Sequence, residues 1–412
     1  MARLVIAGGG FAGFWAAAAA ARVRRDAPSL ASLEILLISR DDQLVIRPRL
    51  YESYPSTMAV ALVPRLEAID VRFEQGEISS IDVASAEVRL ATSAISYDRL
   101  VLATGSQLAR PEGTPATHGF DIDTLAGASA LDRHLRGLAA RPEAHQGTAG
   151  RWTVVIAGGG FTGIELATAL PERLRAIAGV GKVRVIVVDP ASRIGASLGD
   201  GPQLAIHEAL AAAGIETRTR VTITSADSAG ITLSSGERIA CQTLVWTTGM
   251  RASPLAGKIS TRTDGLGRIE VTPELRVVGS EHVFAAGDVA HAAADGGHAA
   301  LQSCQHAQVT GRFAGYNAAA DLAGWPPQAY RQPLYTTCLD LGESGAVLTK
   351  GWDRTVEATG EHAKAIKRRI NTQLIYPPAE RDAILAVASP TVMTEEMFTS
   401  RVLGVNSEMS RV

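Results

Sequence analysis

Glycines with the spacing of a phosphate-binding loop occur twice, as Gly8-x-Gly10-x-x-Gly13 and as Gly158-x-Gly160-x-x-Gly163. The first glycine of such a loop permits a tight turn, and the second lets the backbone approach a diphosphate. The third glycine lets a helix pack closely on a strand. The diphosphate then lies at the positive end of that helix. The two loops therefore predict two sites for phosphorylated nucleotides.

The second strand after each loop ends in residues that can contact a ribose. Asp189 can accept a hydrogen bond from the 2′-hydroxyl of an adenosine ribose, which favours NADH over NADPH. Arg193 can instead meet a 2′-phosphate, so NADPH or dual use stays open, and its other interpretation is a solvated loop charge. In the first unit Ser39 and Arg40 take this position, where a serine bonds without charge.

Three more predicted strands end in residues that suit a bound nucleotide. Thr104-Gly105 follows one strand and Thr248-Gly249 follows another, and in both the glycine lets the backbone crowd a ligand. Gly287-Asp288 follows the third strand, and this aspartate can hold a hydroxylated chain such as ribityl. These segments are predicted to complete the two nucleotide sites.

The elements that must position these residues form a repeat. Residues 5–13 recur as residues 155–163 with one substitution, each between a β-branched strand and an alanine-rich helix. A second apolar strand follows each helix, as in a βαβ unit. The helix starts, Phe11-Ala12 and Phe161-Thr162, belong to the predicted sites. The fold class is therefore α/β, with two Rossmann-like, three-layer dinucleotide-binding domains and a C-terminal α+β segment.

The first domain is predicted to be discontinuous. It comprises residues 1–115 and 262–324, while residues 116–261 form the second domain. Residues 325–412 are a C-terminal interface or closing segment with short strands and a basic helix. Pro111, Gly113 and Pro115 mark a plausible hinge between the domains.

Composition excludes several other classes of protein. Forty basic residues against forty-two acidic ones, without an extended run of either sign, make a nucleic acid a poor partner. Cys241, Cys304 and Cys338 lie far apart, so neither a disulfide framework nor a metal site is expected, and a reducing cytoplasm fits best. The uncharged stretch from Leu4 to Ala21 superficially resembles a signal peptide, but its central glycines and its recurrence argue against that interpretation.

With these features in place, the chain resembles the FAD-dependent pyridine nucleotide-disulfide oxidoreductase superfamily, and most closely its type II NADH dehydrogenase-like branch. The resemblance covers about residues 1–320. Its most specific segments are residues 38–40, Arg47-Pro-Arg-Leu-Tyr51, Gly158-Gly-Gly-Phe-Thr-Gly-Ile-Glu165, Arg251-Ala-Ser-Pro254, residues 267–276 and Ala286-Gly-Asp288.

The resemblance implies that the first domain binds FAD and that the second binds NADH, with NADPH as the alternative. Asp288 would hold the flavin ribityl chain, and Pro48, which follows Arg47, would lie beside the flavin ring system. Glu165 would stand near the nicotinamide, and Gln305 is kept from the family's quinone helix. The other interpretation of Glu165 is a first-turn glutamate favoured by the helix dipole.

Two departures from the family pattern concern the electron acceptor. Val309 and Thr310 replace two glutamines that line the quinone pocket, which removes amide donors for a quinone oxygen. The tail after residue 380 lacks the family's membrane-attaching aromatic residues, so firm membrane attachment is not indicated.

For the basic helix near residues 363–371 a solvated face is favoured. For Cys304 and His306 helix packing is favoured over a redox or proton-relay role.

Together these features predict an FAD-dependent NAD(P)H dehydrogenase that passes a hydride from NADH to FAD and then reduces a quinone or another small acceptor. The alternatives are an NADH-sensing flavoprotein that acts through a protein partner and a soluble reductase of a redox partner protein. The expected location is cytoplasmic, with at most peripheral contact with the inner face of the membrane. Whether the chain forms a homodimer stays open.

Overall fold

The computed structural model describes residues 2–110, 118–140, 150–179 and 183–404. The predicted hinge at Pro111, Gly113 and Pro115 therefore lies outside the described residues, as does the boundary at residue 115.

The elements follow each other in three groups along the chain. Residues 2–110 form β1 Arg3–Ala7, α1 Phe11–Asp26, β2 Glu34–Ser39, β3 Gln43–Val45, β4 Ala59–Ala61, α2 Val63–Ala68, β5 Arg72–Gln75, β6 Ser80–Asp82, β7 Glu87–Arg89, β8 Ala94–Ser96, β9 Arg99–Leu102 and β10 Ser106–Leu108. Residues 118–260 form β11 Phe120–Asp121, α3 Leu125–Ala139, β12 Thr153–Ala157, α4 Phe161–Ala178, β13 Arg184–Asp189, α5 Gln203–Ala212, β14 Glu216–Thr219, β15 Ile223–Asp227, β16 Gly230–Leu233, β17 Arg238–Ala240, β18 Thr243–Trp246, β19 Met250–Ala252 and α6 Leu255–Ile259. The rest of the chain forms β20 Ile269–Glu270, β21 Val283–Ala285, β22 Ala290–His291, α7 Cys304–Ala323, β23 Thr336–Asp340, β24 Ala346–Lys350, β25 Thr355–Thr359, α8 Gly360–Arg369, α9 Arg381–Val387 and α10 Glu395–Phe398.

Two five-stranded parallel sheets carry the two glycine loops. The first has the order β21-β9-β1-β2-β5 and the second has the order β11-β18-β12-β13-β14. Their central strands are continuous apolar runs, as expected for strands covered on both faces. Each sheet is accompanied by a three-stranded antiparallel sheet, β6-β7-β8 in the first unit and β15-β16-β17 in the second. The repeat thus extends well beyond the glycine loops, and the predicted α/β fold class with two Rossmann-like units is confirmed.

The chain returns to the first sheet after it has completed the second. β21 pairs with β9 in parallel, and the antiparallel ribbon of β10 and β19 links the two units. This connectivity agrees with a discontinuous first domain, while the boundaries at residues 115, 261 and 324 stay a prediction.

Helices α1 and α7 pack unusually closely beside the first glycine loop. A Cβ atom on Gly311 would lie 2.4 Å from the carbonyl oxygen of Ala12, and one on Gly315 would lie 2.1 Å from that of Ala16. Because both positions are glycine, no side chain separates the two helices, and α7 can run directly against the start of α1. The residues at the N-terminal end of α7 therefore reach the first nucleotide site.

The C-terminal segment is an antiparallel sheet, β23-β24-β25, covered by α8. Its core includes Leu348, Ala363, Ile366 and Phe398. The strands and the basic helix predicted there are present, whereas β25, α9 and α10 were not predicted. Among the helices that the structure describes, none combines the length and the apolar content that a membrane span requires.

Candidate active site

The first glycine of each loop has a backbone that other residues rarely adopt. The φ angle is +116° at Gly8 and +119° at Gly158. A Cβ atom would lie 2.3 Å from the carbonyl oxygen of Ala103 in the first loop and 2.5 Å from that of Thr247 in the second. Both loops therefore require glycine for conformation and for close approach to the neighbouring strand end.

The other two glycines of each loop meet different surroundings. A Cβ atom on Gly13 or Gly163 would lie 1.8 or 1.9 Å from the carbonyl oxygen of the loop's first glycine. At Gly10 and Gly160 a Cβ atom would meet no heavy atom of the described residues within 4 Å. The third glycine thus serves packing of the helix, and the second leaves open space where a diphosphate can approach the backbone.

A cavity of about 660 Å³ lies between the two loops. Its volume is within the range typical of sites for small molecules and cofactors. The predicted residues on its wall are Gly10, Phe11, Ala12, Arg47, Pro48, Gly105, Phe161, Thr162, Glu165, Gly249, Gly287, Asp288 and Gln305. The predicted residues outside its wall are Gly8, Gly13, Ser39, Arg40, Thr104, Gly158, Gly160, Gly163, Asp189 and Thr248.

Buried polar atoms without a protein partner indicate where a ligand belongs. Among the described residues on the cavity wall, Gln305 Oε1 and Gln332 Nε2 are buried and make no hydrogen bond. Such atoms are uncommon in folded proteins unless water or a ligand satisfies them. Together with the open space at Gly10, they indicate that the residues present fit a bound cofactor in this cavity.

The residues at the predicted ribose positions are already partly engaged. Asp189 accepts hydrogen bonds from the backbone nitrogens of Gly159 at 2.6 Å and Ala191 at 2.7 Å, yet its carboxylate keeps further lone pairs. Arg193 pairs with the exposed Asp200. Because this ion pair is exposed, it restricts Arg193 little, and NADPH or dual use stays open.

In the first unit, Ser39 and Arg40 occupy the predicted ribose position. A Cβ atom on Gly9 would lie 2.7 Å from Ser39 Oγ, so the serine stands directly beside the glycine loop. Arg40 is exposed and lies 3.2 Å from Asp41.

Thr248 donates its hydroxyl hydrogen to the carbonyl oxygen of Ala109, which connects the ends of two strands.

Asp288 is fixed by a polar network that sequence reasoning found only in part. It accepts a hydrogen bond from Ser106 Oγ at 2.6 Å and lies 3.6 Å from Arg47 Nη1. Arg47 also pairs with Asp123, whose pKa is raised by burial despite the nearby guanidinium. Ser106 and Asp123 were not predicted, because neither belongs to a motif with recognisable spacing.

Glu165 lies within the α4 helix and forms a buried ion pair with Lys367 of α8. Its Oε1 atom is 2.7 Å from Lys367 Nζ, and both side chains are almost fully buried, at 4% and 6% exposure. Burial raises the pKa of Glu165 to about 7, although the charge of Lys367 acts in the opposite direction. Burial alone would lower the pKa of Lys367, but the charge of Glu165 raises it. Both residues lie on the cavity wall.

A hydrogen-bonded pair of Tyr51 and Asp340 adjoins the ion pair of Glu165 and Lys367. The backbone nitrogen of Asp340 donates to Glu165 Oε1 at 3.0 Å, and Tyr51 donates its hydroxyl hydrogen to Asp340 Oδ2 at 2.9 Å. Asp340 also pairs with Lys364. A second, polar cavity of about 970 Å³ adjoins the cofactor cavity, and Tyr51 and Lys367 line both. The buried pair of Glu165 and Lys367 therefore lies between the two cavities.

The prediction of a solvated basic helix is wrong for one face of α8. Lys367 is buried against Glu165, and its ammonium group lies 5.5 Å from the centroid of the Phe161 ring. Arg368 does remain on the surface, where it pairs with Glu361. Lys367 could not be predicted because the helix contains several basic residues, and no local pattern marks which lysine meets a carboxylate from another unit.

The structure adds to the interpretation of α7. Val309 lies on the cavity wall. Thr310 instead accepts a hydrogen bond from the Gly287 backbone nitrogen at 2.9 Å and so connects α7 to the turn after β21. Amide groups are nevertheless present, because the side chains on the cavity wall include Gln302, Gln305 and Gln308. The amide donors are absent at positions 309 and 310, as the sequence predicts, but other positions supply amides to the same wall.

The structure also places the two remaining candidates on α7. Cys304 lies on the cavity wall, and burial raises the pKa of its thiol to about 11, so it is neutral at physiological pH. His306 is buried beside Tyr335, with its Nδ1 atom 2.9 Å from Ser303 Oγ, and burial lowers its pKa to about 4. His306 is a packing residue in this structure.

Two nucleotide-binding α/β units that share one cavity define the class of this protein, an oxidoreductase that works with two dinucleotides. The chain belongs to the pyridine nucleotide-disulphide oxidoreductase family, whose model matches residues 2–311.

Individual relatives narrow this assignment. An NADH dehydrogenase-like protein of Mycobacterium tuberculosis is 43% identical over 401 residues, which cover 95% of this chain and 99% of the relative. A demethylphylloquinone reductase of Synechocystis is 29% identical over 362 residues, which cover 84% and 86%. The structure of NDH2 from Plasmodium falciparum in complex with NADH has a TM-score of 0.74 at 11% identity over 98% of this chain and 99% of that chain, which shows the shared fold. The predictions of an NADH dehydrogenase-like oxidoreductase and, at the level of the family, of FAD and NADH are confirmed.

Proposed function

We propose that this protein oxidises NADH at the second glycine loop and reduces a quinone or a similar small acceptor through FAD bound at the first loop. The observation that carries this proposal is the shared cavity, whose wall contains the helix starts of both loops, Phe11 and Phe161, together with Glu165. FAD supplies the hydride-accepting and electron-donating chemistry when it is bound.

The chain's own residues hold the two dinucleotides and restrict their approach. Gly10 and Gly105 offer backbone to the flavin dinucleotide, Asp288 suits its hydroxylated chain, and Pro48 forms part of the wall. Thr162 and Gly249 lie on the wall at the second loop. Holding both partners in one cavity supplies proximity, which accounts for much of the rate that a positioning enzyme provides.

The Glu165–Lys367 pair is suited to hold a proton at the cavity wall. A quinone takes up protons when it is reduced to a quinol, and a carboxyl group with a pKa of about 7 is ionised to about half at neutral pH. Lys367 and the backbone nitrogen of Asp340 both donate to Oε1 of Glu165, which leaves Oε2 as the oxygen that can carry the proton. The polar cavity behind Tyr51 and Asp340 offers solvent on the far side of the pair.

The Glu165→Gln variant tests this role. Because glutamine cannot exchange a proton near neutral pH, we expect reoxidation of the reduced protein by a quinone to slow by about 100-fold at pH 7. The inflection near pH 7 in the reoxidation rate of the wild type should disappear. Stopped-flow absorbance at several pH values measures both effects, and an unchanged pH profile would rule out Glu165 as the proton donor.

The acceptor end of the cavity contains the α7 amides and apolar side chains of the C-terminal segment. Gln305 donates to Thr336 Oγ1 at 3.2 Å and keeps a free carbonyl oxygen, while Gln308 lies one turn further along the wall. Ile370, Leu374 and Met397 provide apolar surface on the same wall. Amide donors beside apolar surface suit a quinone ring, and the demethylphylloquinone reductase among the relatives supports this choice.

The Gln308→Leu variant tests the acceptor assignment separately from NADH oxidation. Loss of one neutral hydrogen bond corresponds to about 0.5–1.5 kcal/mol, so we expect the KM for a short-chain quinone to rise about 3- to 10-fold. Reduction of the flavin by NADH should keep its wild-type rate. If the variant changes the NADH half-reaction and spares the quinone, Gln308 does not face the acceptor.

The proposed function as a whole is tested by anaerobic stopped-flow absorbance. NADH and NADPH are added in parallel, loss of the oxidised flavin band is followed, and the reduced protein is then mixed with a short-chain quinone. Fast bleaching by NADH and fast reoxidation by the quinone are expected. Fast bleaching followed by a long-lived reduced flavin would contradict quinone reduction and favour a protein partner or a sensing role.

The cellular location belongs to the same proposal. A cytoplasmic protein with at most peripheral contact with the inner face of the membrane suits an enzyme that takes NADH from solution and an acceptor from solution or from the lipid surface. Fractionation of cells at low and high salt tests this placement, since peripheral contact is released by salt.

A further inference from the structure

The turn that joins β24 and β25 reaches across to the second nucleotide-binding unit. A Cβ atom on Gly201 would lie 2.1 Å from the carbonyl oxygen of Arg354, and one on Gly199 would lie 3.7 Å from Arg354 Cδ. The two glycines therefore give room for this turn. As a result, a residue of the C-terminal segment packs directly on the loop that follows β13.

Arg354 itself has an uncommon backbone conformation. Its φ angle is +58°, in the left-handed region that favours glycine, and a bulky residue there is strained. The turn keeps an arginine where a glycine would relieve the strain. Strained positions of this kind concentrate at ligand sites.

Arg354 lies at the cofactor cavity. Arg354 lies on the cavity wall with Ser197, Leu198 and Tyr335, and its Cζ atom is 5.4 Å from the centroid of the Tyr335 ring. Within the described residues, no carboxylate oxygen lies within 4.0 Å of its side-chain nitrogens, unlike Arg47 on the same wall. The Arg354 guanidinium, which hydrogen-bonds Tyr335, therefore lies at the cavity wall without a carboxylate to neutralise it.

The wall beside Arg354 belongs to the second glycine loop. The backbone nitrogen of Gly195 donates to the carbonyl oxygen of Gly159 at 2.7 Å, which holds the turn that contains Ser197 against that loop. Phe161 and Thr162, at the start of α4, lie on the same wall. The start of a helix and an arginine thus line one cavity, and together they are complementary to a doubly charged diphosphate.

We propose that Arg354 binds the diphosphate of the nicotinamide dinucleotide, so that the C-terminal hairpin completes the binding site of the second unit. This inference rests on the proposed function, in which NADH occupies the second glycine loop. In this role the guanidinium supplies charge-assisted hydrogen bonds that the glycine loop alone does not provide.

Isothermal titration of the flavin-containing protein with three probes tests the inference. ADP-ribose and NAD⁺ contain the diphosphate, whereas adenosine contains no phosphate. For Arg354→Gln we expect binding of ADP-ribose and NAD⁺ to weaken by about 10- to 100-fold, with partial recovery in Arg354→Lys. Binding of adenosine should change little. The loss should shrink as the salt concentration rises, because the interaction is ionic.

Arg331→Gln serves as the matched control, since Arg331 is an exposed arginine of the same segment and lies outside the cavity wall. It should bind all three probes like the wild type. Wild-type affinity of Arg354→Gln for ADP-ribose would overturn the inference and leave the proposed function intact. Weaker binding of NAD⁺ with unchanged binding of ADP-ribose would also overturn it, because Arg354 would then contact the nicotinamide half. Absence of NAD⁺ and ADP-ribose binding by the wild type would overturn the proposed function as well.

Discussion

Replacement of Lys367 by methionine will destabilise the protein by about 3–5 kcal/mol at pH 8 and by much less at pH 5. Methionine keeps most of the side-chain volume, so the change removes the charge and leaves the packing largely intact. At pH 8 the variant leaves Glu165 buried without its cation. At pH 5 the glutamate is protonated, and the missing cation matters little.

The sign of this pH dependence follows from the raised pKa of Glu165. The ordinary pKa of a glutamate is 4.5, and burial raises that of Glu165 to about 7. Between these values the folded protein binds more protons than the unfolded chain, so stability falls as pH rises through this window. Loss of Lys367 raises the pKa of Glu165 further, which extends the falling range to higher pH.

Urea unfolding at pH 5 and pH 8 measures the effect. Arg368→Met is the matched control on the same helix, because its ion pair with Glu361 is exposed, and its effect should stay within about 1 kcal/mol at both pH values. The double variant Glu165→Gln with Lys367→Met removes both charges and should regain most of the stability at pH 8. An equal loss for Lys367→Met at both pH values would assign the effect to packing instead of charge.

Gly10→Ala will fold like the wild type but retain FAD about 10- to 100-fold more weakly. A Cβ atom at Gly10 meets no heavy atom of the described residues within 4 Å, and the φ angle of −78° suits alanine. The residue lies on the cavity wall, so the added methyl group occupies the space that the diphosphate needs. Flavin absorbance relative to protein absorbance after dialysis measures retention.

Gly8→Ala is the contrasting variant. Its backbone has a φ angle of +116°, and its Cβ atom would lie 2.3 Å from the carbonyl oxygen of Ala103. We expect a loss of about 2–5 kcal/mol of folding stability even without flavin, because the strain and the clash belong to the chain itself. Urea unfolding of the flavin-free proteins separates the two cases. Full retention of FAD by Gly10→Ala would show that no diphosphate approaches the first loop.

The sequence predicted the parts of this fold that repeat within it. The segment around Gly8 and its copy around Gly158 marked the start of both parallel sheets, because strand, glycine loop and helix follow each other within a few residues. Asp288 was found for the same reason, since it directly follows a buried strand. Local order along the chain is sufficient for such features.

The rest of the site depends on contacts between distant segments. Lys367 meets Glu165 across about 200 residues of sequence, and no periodicity within α8 indicates that partner. The acceptor end of the cavity is a different case, because the family motif drew attention only to Val309 and Thr310. The amide one position earlier, Gln308, faces the cavity because of the rotation of α7, which only the packing of α7 against α1 determines.

The late return of β21 to the first sheet has a consequence for biosynthesis. β9 ends at Leu102, and its outer edge stays unpaired until β21, which begins at Val283, has been synthesised. A ribosome that adds roughly 5–20 residues per second needs about 10–35 seconds to make the intervening stretch of about 180 residues. During that time the nascent chain exposes an apolar strand edge, which is a site for mispairing. We therefore expect the emerging first unit to depend on a chaperone, or on rapid folding of the second unit, until its last strand leaves the exit tunnel.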